Sequence, residues 1–109
     1  MNEQQILSML GALSQETRLR IVKYLIGRGE EGASAGDVGT HVGAASSRAS
    51  FHLSALENAG VITSERQSRK IVYRANFKYI GQMIGFLLHD CCADHPQIKS
   101  CCDLDETCR

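Results

Sequence analysis

Two short helix-forming segments, joined through a glycine and followed by two β-prone runs, constrain this chain more than any other feature. Ser34 and Asp37 form a variant of the capping box at the start of the first segment, which ends at Gly43. The second segment begins two or three residues later, spans about 45–58 and ends near Gly60. Two short helices with a glycine-containing turn between them are typical of a helix-turn-helix.

The hydrophobic period changes after Gly60. Residues 61–65 and 71–75 are rich in β-branched side chains, and the polar residues 66–70 between them predict a hairpin with a five-residue loop. Residues 79–88 return to helical spacing, and this last helix must end before Pro96, because proline disfavours helical angles in the residue that precedes it.

Helical spacing of apolar residues also predicts two helices before the helix-turn-helix. The first lies within residues 6–13, and we expect Ser14 to be the N-cap of the second, over about 15–26. The inward-facing residues expected in these helices are Ile6, Met9, Leu10, Leu13, Leu19, Val22, Leu25 and Ile26.

The predicted order is therefore α-α-α-α-β-β-α, a mainly α fold with a β wing: a winged helix-turn-helix. We assign residues 1–90 to this DNA-binding and dimerisation domain and 91–109 to a cysteine-rich tail. The first and last helices either cap the core of a monomer or form a homodimer interface. We expect the homodimer, because dimeric DNA-binding proteins place two helices in successive major grooves.

Composition and charge agree with a single globular domain. The chain has 109 residues, of which 43% are hydrophobic and 22% charged, and its net charge is zero. Basic residues dominate between 44 and 74 and acidic residues dominate from 90 onward, so a basic stripe is concealed in the total. The charge distribution alone is almost as consistent with an ordinary solvated surface of mixed charge as with a DNA-binding stripe.

Nothing in the sequence indicates a membrane span or a secretory signal. No run of eighteen apolar residues occurs, and the first twenty residues lack a basic start followed by an apolar run. We therefore expect a cytoplasmic protein without a membrane partner, in a compartment where thiols stay reduced.

Five cysteines lie in the last nineteen residues, and two pairs of them are vicinal. Clustered thiolates select soft ions such as Cu(I) and zinc, and by the same chemistry arsenite and antimonite. Four thiolates also suit zinc, with His95 as a substitute ligand, and clustered thiols are sites of oxidation. An inert tail is the remaining alternative. The candidate ligands are Cys91, Cys92, Cys101 and Cys102.

Three segments resemble the ArsR/SmtB family of metal-responsive repressors. Residues 12–22, Ala-Leu-Ser-Gln-Glu-Thr-Arg-Leu-Arg-Ile-Val, are similar to the opening of that family's domain. Residues 47–53 are similar to its recognition helix, and 69–74 to its second wing strand. The resemblance implies a homodimeric repressor, not an enzyme, that releases double-stranded operator DNA when an inducer binds.

The resemblance also implies which residues face DNA. Phe51 stands where many family members have a histidine, and it either touches a thymine methyl group or belongs to the core. We expect His52 to be structural, and the wing cations to bind phosphates. The implied DNA-binding residues are Ser46, Ser47, Arg48, Ser50, Phe51, Arg66, Arg69 and Lys70.

The family's other inducer sites are missing from this sequence. Residues 34–41 contain no cysteine, 77–88 contain no zinc-sensor ligands, and there is no N-terminal cysteine arm. The cysteine tail resembles members that bind trivalent arsenic after the last helix. As(III) or Sb(III), inorganic or methylated, is therefore the expected inducer, and no cofactor is expected. We expect Cys91, Cys92 and one cysteine of the second pair to bind it, with Cys108 spare. A repressor responsive to zinc, cadmium, lead, oxidants or persulfides is the alternative.

Overall fold

The computed structural model describes residues 1–91 and 95–98 and has the predicted winged helix-turn-helix order, with two additions. A short strand precedes the helix-turn-helix, and a π-helix follows the last α-helix. The elements are α1 Glu3–Leu13, α2 Glu16–Arg28, β1 Ala33–Ser34, α3 Ala35–Val42, α4 Ser46–Asn58, β2 Ile62–Gln67, β3 Lys70–Ala75, α5 Phe77–Gly85 and the π-helix Phe86–Cys91.

The cap of α2 differs from the sequence prediction. Ser14 ends α1 instead of starting α2: its backbone N–H and its hydroxyl both donate to the Gly11 carbonyl, at 3.3 and 2.9 Å. The N-cap of α2 is Gln15, whose side-chain oxygen accepts from the Arg18 backbone N–H at 2.8 Å. The side chain of Gln15 thus supplies the N-cap that was expected of Ser14.

The buried face of α2 is also rotated relative to the prediction. Val22 and Leu25 are buried as expected, but Leu19 and Ile26 are 56% and 44% exposed. Ile21 takes their place and is fully buried. The buried face of α2 therefore includes fewer of its apolar residues than the sequence pattern predicts.

The sheet is antiparallel with strand order β1-β3-β2. Gln67 pairs with Lys70, so the hairpin loop has two residues and not the five predicted. Ser68, its first residue, has a φ of 58°, which is the type II′ pattern and a place where glycine is usually favoured. The tight turn therefore places a serine at a positive φ.

The buried core lies between α1, the helix-turn-helix and the inner end of the hairpin. Ile6, Met9, Leu25, Leu53 and Ile62 are among its largest fully enclosed side chains. The last helix contributes Met83, and its partly buried residues pack against the same cluster. No helix within 1–91 or 95–98 has both the length and the apolar character needed to cross a membrane.

The last helix changes its winding at Phe86. It begins two residues earlier than predicted, where the Asn76 side chain accepts from the Tyr79 backbone N–H at 3.2 Å. From Phe86 to Cys91 the hydrogen bonds follow π-helical spacing, i→i+5. The predicted single α-helix over 79–88 is therefore an α-helix followed by a π-helix.

Candidate nucleic-acid interface and inducer site

The turn between α3 and α4 is built by close backbone contact. Ser34 caps α3 as predicted, accepting from the Asp37 N–H at 3.2 Å, and Gly43 ends it with a left-handed φ of 71°. A Cβ atom on Gly39 would lie 3.0 Å from the Ala44 carbonyl oxygen and 3.5 Å from Ala49 Cβ. This glycine therefore lets α3 approach the start of α4.

One face of α4 is open to solvent, while the opposite face packs in the core. Ala49, His52, Leu53 and Leu56 are buried, as expected for a helix docked on the helix-turn-helix core. All of the residues of α4 implied to face DNA lie on the surface. They are Ser46, Ser47, Arg48, Ser50 and Phe51.

Phe51 is a surface residue and not part of the core. Its side chain is 63% exposed, the largest exposure among the exposed large hydrophobic residues of the described chain. The Arg18 guanidinium carbon lies 5.8 Å from the ring centroid, and the His52 ring meets it edge-on at 5.6 Å. The Phe51 ring therefore contacts two side chains, Arg18 and His52, although most of its surface is exposed.

His52 is structural, as expected from the sequence. It is only 7% exposed, and its Nδ1 accepts a hydrogen bond from Arg18 Nε at 3.1 Å. Burial, with the positive charges of Arg18 and Arg48, lowers the pKa of His52 below its usual value. A neutral imidazole with its proton on Nε2 therefore joins α2 to α4.

The wing presents cations at its tip and an ion pair at its base. Arg66, Arg69 and Lys70 are exposed around the two-residue turn. Arg74 instead binds Glu65 at 2.7 Å and donates to the Glu30 carbonyl at 2.6 Å. The hydrogen bond from Arg74, with one from Gln67, lowers the pKa of Glu65. Arg74 thus anchors the wing, although the sequence showed it only as part of a basic stripe.

The predicted metalloid ligands are not brought together by the part of the chain that the structure describes. Cys91 is the last residue of the π-helix, and its side chain, together with all of Cys92, Cys101 and Cys102, lies outside the described residues. Among the described side chains, no three histidine, cysteine, aspartate or glutamate residues form a group that could hold a metal ion.

Comparisons with known proteins agree with this architecture. A family model described as a helix-turn-helix domain matches residues 13–65. The HTH-type transcriptional regulator YgaV of Escherichia coli is 30% identical over 89 residues, covering 82% of this chain and 88% of YgaV. The solved structure of an ArsR-like transcriptional regulator from Rhodococcus superposes with a TM-score of 0.72 at 25% identity, covering 94% of each chain.

The chain belongs to the ArsR family. Members of this family are DNA-binding transcriptional regulators and not enzymes. A probable mercury resistance operon repressor of Streptomyces lividans is 28% identical to this chain, covering 84% of this chain and 70% of that protein.

Two further solved structures resemble this ArsR-family chain. A homodimeric winged helix-turn-helix domain from Mycobacterium bovis has a TM-score of 0.64 at 26% identity, covering 84% of this chain and 80% of that domain. A possible transcriptional regulator for arsenical resistance has a TM-score of 0.63 at 25% identity, covering 81% of this chain and 96% of that protein.

Proposed function

We propose that this chain is a homodimeric repressor that leaves its operator when As(III) or Sb(III) binds its C-terminal thiolates. The observation that carries the proposal is the position of two vicinal cysteine pairs in the sequence of an ArsR-family protein. Cys91-Cys92 stand where the last helix ends, and Cys101-Cys102 follow after eight residues. A relative described as a regulator for arsenical resistance and another described as a mercury resistance repressor support a soft-ion inducer.

In this proposal, the exposed face of α4 enters the major groove and the wing lies on the backbone. Ser46, Ser47, Ser50 and Phe51 face base edges or the adjacent phosphates, and Arg48 supplies charge beside them. Arg66, Arg69 and Lys70 bind phosphates, which position the protein without reading sequence. The homodimeric Mycobacterium bovis relative supports a second copy bound to the neighbouring half-site.

Three thiolates satisfy trivalent arsenic, and they must lose their protons to bind it. Cys91, Cys92 and one cysteine of the second pair form the proposed site, in the reducing conditions of the cytoplasm. Ligation there would rearrange the π-helix that runs into Cys91 and, through α5, the dimer interface. A coupling free energy of about 1–3 kcal/mol, typical of allostery, would lower operator affinity roughly 5–150-fold.

The test titrates fully reduced protein with arsenite on a labelled fragment of its own promoter. Thiolate-to-arsenic absorbance and DNA anisotropy are followed in the same sample. We expect absorbance to saturate near one arsenic per chain as DNA is released. The variant Cys91→Ser/Cys92→Ser should bind DNA normally and keep it bound, while the matched Cys108→Ser variant should respond like the wild type.

Two other results would change the proposal. Release of DNA by arsenite from the Cys91→Ser/Cys92→Ser protein would remove these thiols from the mechanism. DNA that stays bound in arsenite but is released by zinc, or by a persulfide, would keep the repressor and replace the inducer.

A further inference from the structure

A cationic groove lies between α2 and α3, outside the recognition helix and the wing. It has a volume of about 440 Å³ and lies on one face of α2, where residues recur at i, i+3, i+4, i+7 and i+8. A single residue of α3 completes it. The groove is lined by Arg20, Lys23, Tyr24, Gly27, Arg28 and His41.

The charge of this groove is largely available for a ligand. Arg20 and Lys23 are exposed, and neither forms an ion pair or side-chain hydrogen bond with a described residue. Arg28 is partly used, because it donates to the Gly32 carbonyl at 2.9 Å and pairs with Glu31 at 3.2 Å. Within the described part of the chain, no acidic side chain lines the groove. Such a site favours an anion.

Two stacked rings connect the helices on either side of the groove. The rings of Tyr24 and His41 stack at 4.1 Å between centroids, with 19° between their planes, and thereby join α2 to α3. The groove is open at Gly27, because a Cβ atom on this residue would have no other atom within 4 Å. Arg20, Lys23 and Arg28 all lie on α2, so the backbone of one helix and not a loop sets the spacing of these cations.

The place of the groove in the fold indicates which anion it meets. In helix-turn-helix complexes the first helix crosses the DNA backbone while the second lies in the groove, and α3 is the first helix here. The start of α2 is tied to the recognition helix through Arg18 and His52. We infer that the α2–α3 groove binds backbone phosphates of operator DNA that flank the bases reached by α4, an inference that rests on the proposed DNA-binding function.

Arginine and lysine suit this role differently. The Arg20 guanidinium offers several N–H donors in a plane, which match phosphate oxygens, whereas Lys23 acts as a point charge. Such contacts position a protein along the duplex and strengthen binding to every sequence equally. Each phosphate contact contributes about 0.9 to the slope of log affinity against log salt concentration.

The experiment compares three variants that each remove one positive charge: Arg20→Gln, Lys23→Gln and, outside the groove on α5, Lys78→Gln. The affinity of the reduced full chain for its own promoter fragment is measured by anisotropy from about 50 to 300 mM KCl. Since the homodimer carries two copies of each residue, we expect Arg20→Gln and Lys23→Gln each to lower the salt slope by about 1.8, which is about 0.9 per protomer. Each variant should weaken binding to operator and to unrelated DNA by the same factor. Lys78→Gln should keep the wild-type slope.

Trimming the duplex gives a second readout. Removing base pairs from the ends of the fragment, outside the recognised bases, should weaken the wild type and should leave Arg20→Gln/Lys23→Gln almost unaffected. Wild-type salt slopes in both groove variants would overturn the inference while the repressor function stands. If the wild type does not prefer its own promoter, the proposed function fails first.

The groove could instead receive a free phosphate compound, and calorimetry separates that case. Inorganic phosphate and pyrophosphate are titrated into protein without DNA. Saturable submillimolar binding that Lys23→Gln abolishes, with an unchanged DNA salt slope, would assign the groove to a small anion and overturn the inference.

Discussion

Arg18 and His52 are 34 positions apart in the chain, yet a hydrogen bond of 3.1 Å joins them. The bond requires an imidazole without a proton on Nδ1. Protonation of His52 would remove that acceptor and place a third positive charge beside Arg18 and Arg48. The attachment of the recognition helix to α2 therefore depends on the charge state of one buried ring.

Lowering the pH should destabilise the protein through His52. Its folded-state pKa is lowered, so the unfolded chain, with a histidine pKa near 6.5, takes up the proton first. The stabilisation is complete above about pH 6.5 and is lost as pH falls below that value, with a slope of at most about 1.4 kcal/mol per pH unit.

Urea denaturation of reduced protein between pH 7.5 and 5.5 measures this effect. The His52→Gln variant should show a shallower dependence of unfolding free energy on pH than the wild type. Equal slopes in wild type and His52→Gln would assign the pH dependence to other groups.

Phe51 gives the recognition helix an apolar contact among serines. If Phe51 packs on the methyl group of a thymine, each contact contributes roughly 0.8 kcal/mol, a factor of about four in affinity. Phe51→Ala removes two such contacts from the homodimer and should lower operator affinity about 15-fold. Replacing each operator thymine by deoxyuridine removes only that methyl. One such position should weaken the wild type and leave Phe51→Ala unchanged, as measured by anisotropy. A sensitivity to deoxyuridine that persists in Phe51→Ala would exclude this contact.

At the scale of elements, the link between α2 and the sheet is the least tolerant of added volume. Gly32 is buried with a φ of 66°, and a Cβ atom on it would lie 2.8 Å from side-chain carbons of Val72 and Arg74. Gly43 has a similar φ of 71° but no atom within 4 Å of such a Cβ. These two glycines share a backbone conformation and differ in the space around them.

We therefore expect Gly32→Ala to reduce the free energy of unfolding by much more than Gly43→Ala. The second substitution should cost about 1–2 kcal/mol, the penalty for a side chain in the left-handed region. The first adds a steric clash with β3 and should exceed about 4 kcal/mol or prevent folding. Thermal and urea unfolding of both variants compares them, and equal losses would show that conformation alone matters at Gly32.

The order of helices and strands could be predicted because each long element carries its own signal. Ser34 and Gly43 delimit α3 through caps that act locally, and the change to β-branched residues after Gly60 marks the wing. Periodicity was a weaker guide to burial in α2, since Leu19 and Ile26 fit a helical stripe as well as Ile21 does. Tertiary packing selects between such stripes.

Other features have no local signal. Strand β1 is two residues long and exists only because β3 lies beside it. The exposed residues of α4 could be predicted from the family resemblance, but the support of Phe51 by Arg18 could not, because it joins distant helices. The cationic groove likewise requires the packing of α2 on α3. The assignment of the cysteines stays a prediction.

At the scale of the whole molecule, exposed apolar residues on the outer helices agree with the expected dimer. Leu7 on α1 is 56% exposed and Ile84 on α5 is 50% exposed. The two helices are neighbours, since Ile6 of α1 and Gln82 of α5 line one cleft between them. Leu19 on α2 is exposed to the same extent as Leu7 and therefore serves as a matched control.

Leu7→Glu should weaken the dimer about 100-fold or more, because an unpaired carboxylate in an apolar interface costs several kcal/mol. Leu19→Glu should remain dimeric. Sedimentation equilibrium gives both dissociation constants, and circular dichroism verifies that each variant is folded. A Leu7→Glu protein as dimeric as the wild type would show that α1 lies outside the interface.

The π-helix Phe86–Cys91 is a segment whose length along the helix axis depends on how it is wound. An i→i+5 hydrogen bond spans one residue more than the i→i+4 hydrogen bond of an α-helix. Rewinding these six residues into an α-helix would shift the point at which the chain leaves Cys91, both along and around the helix axis, while the caps and core contacts of α5 up to Met83 stayed in place. The reach of the chain beyond α5 can therefore be adjusted by winding, without unfolding the domain to which it is attached.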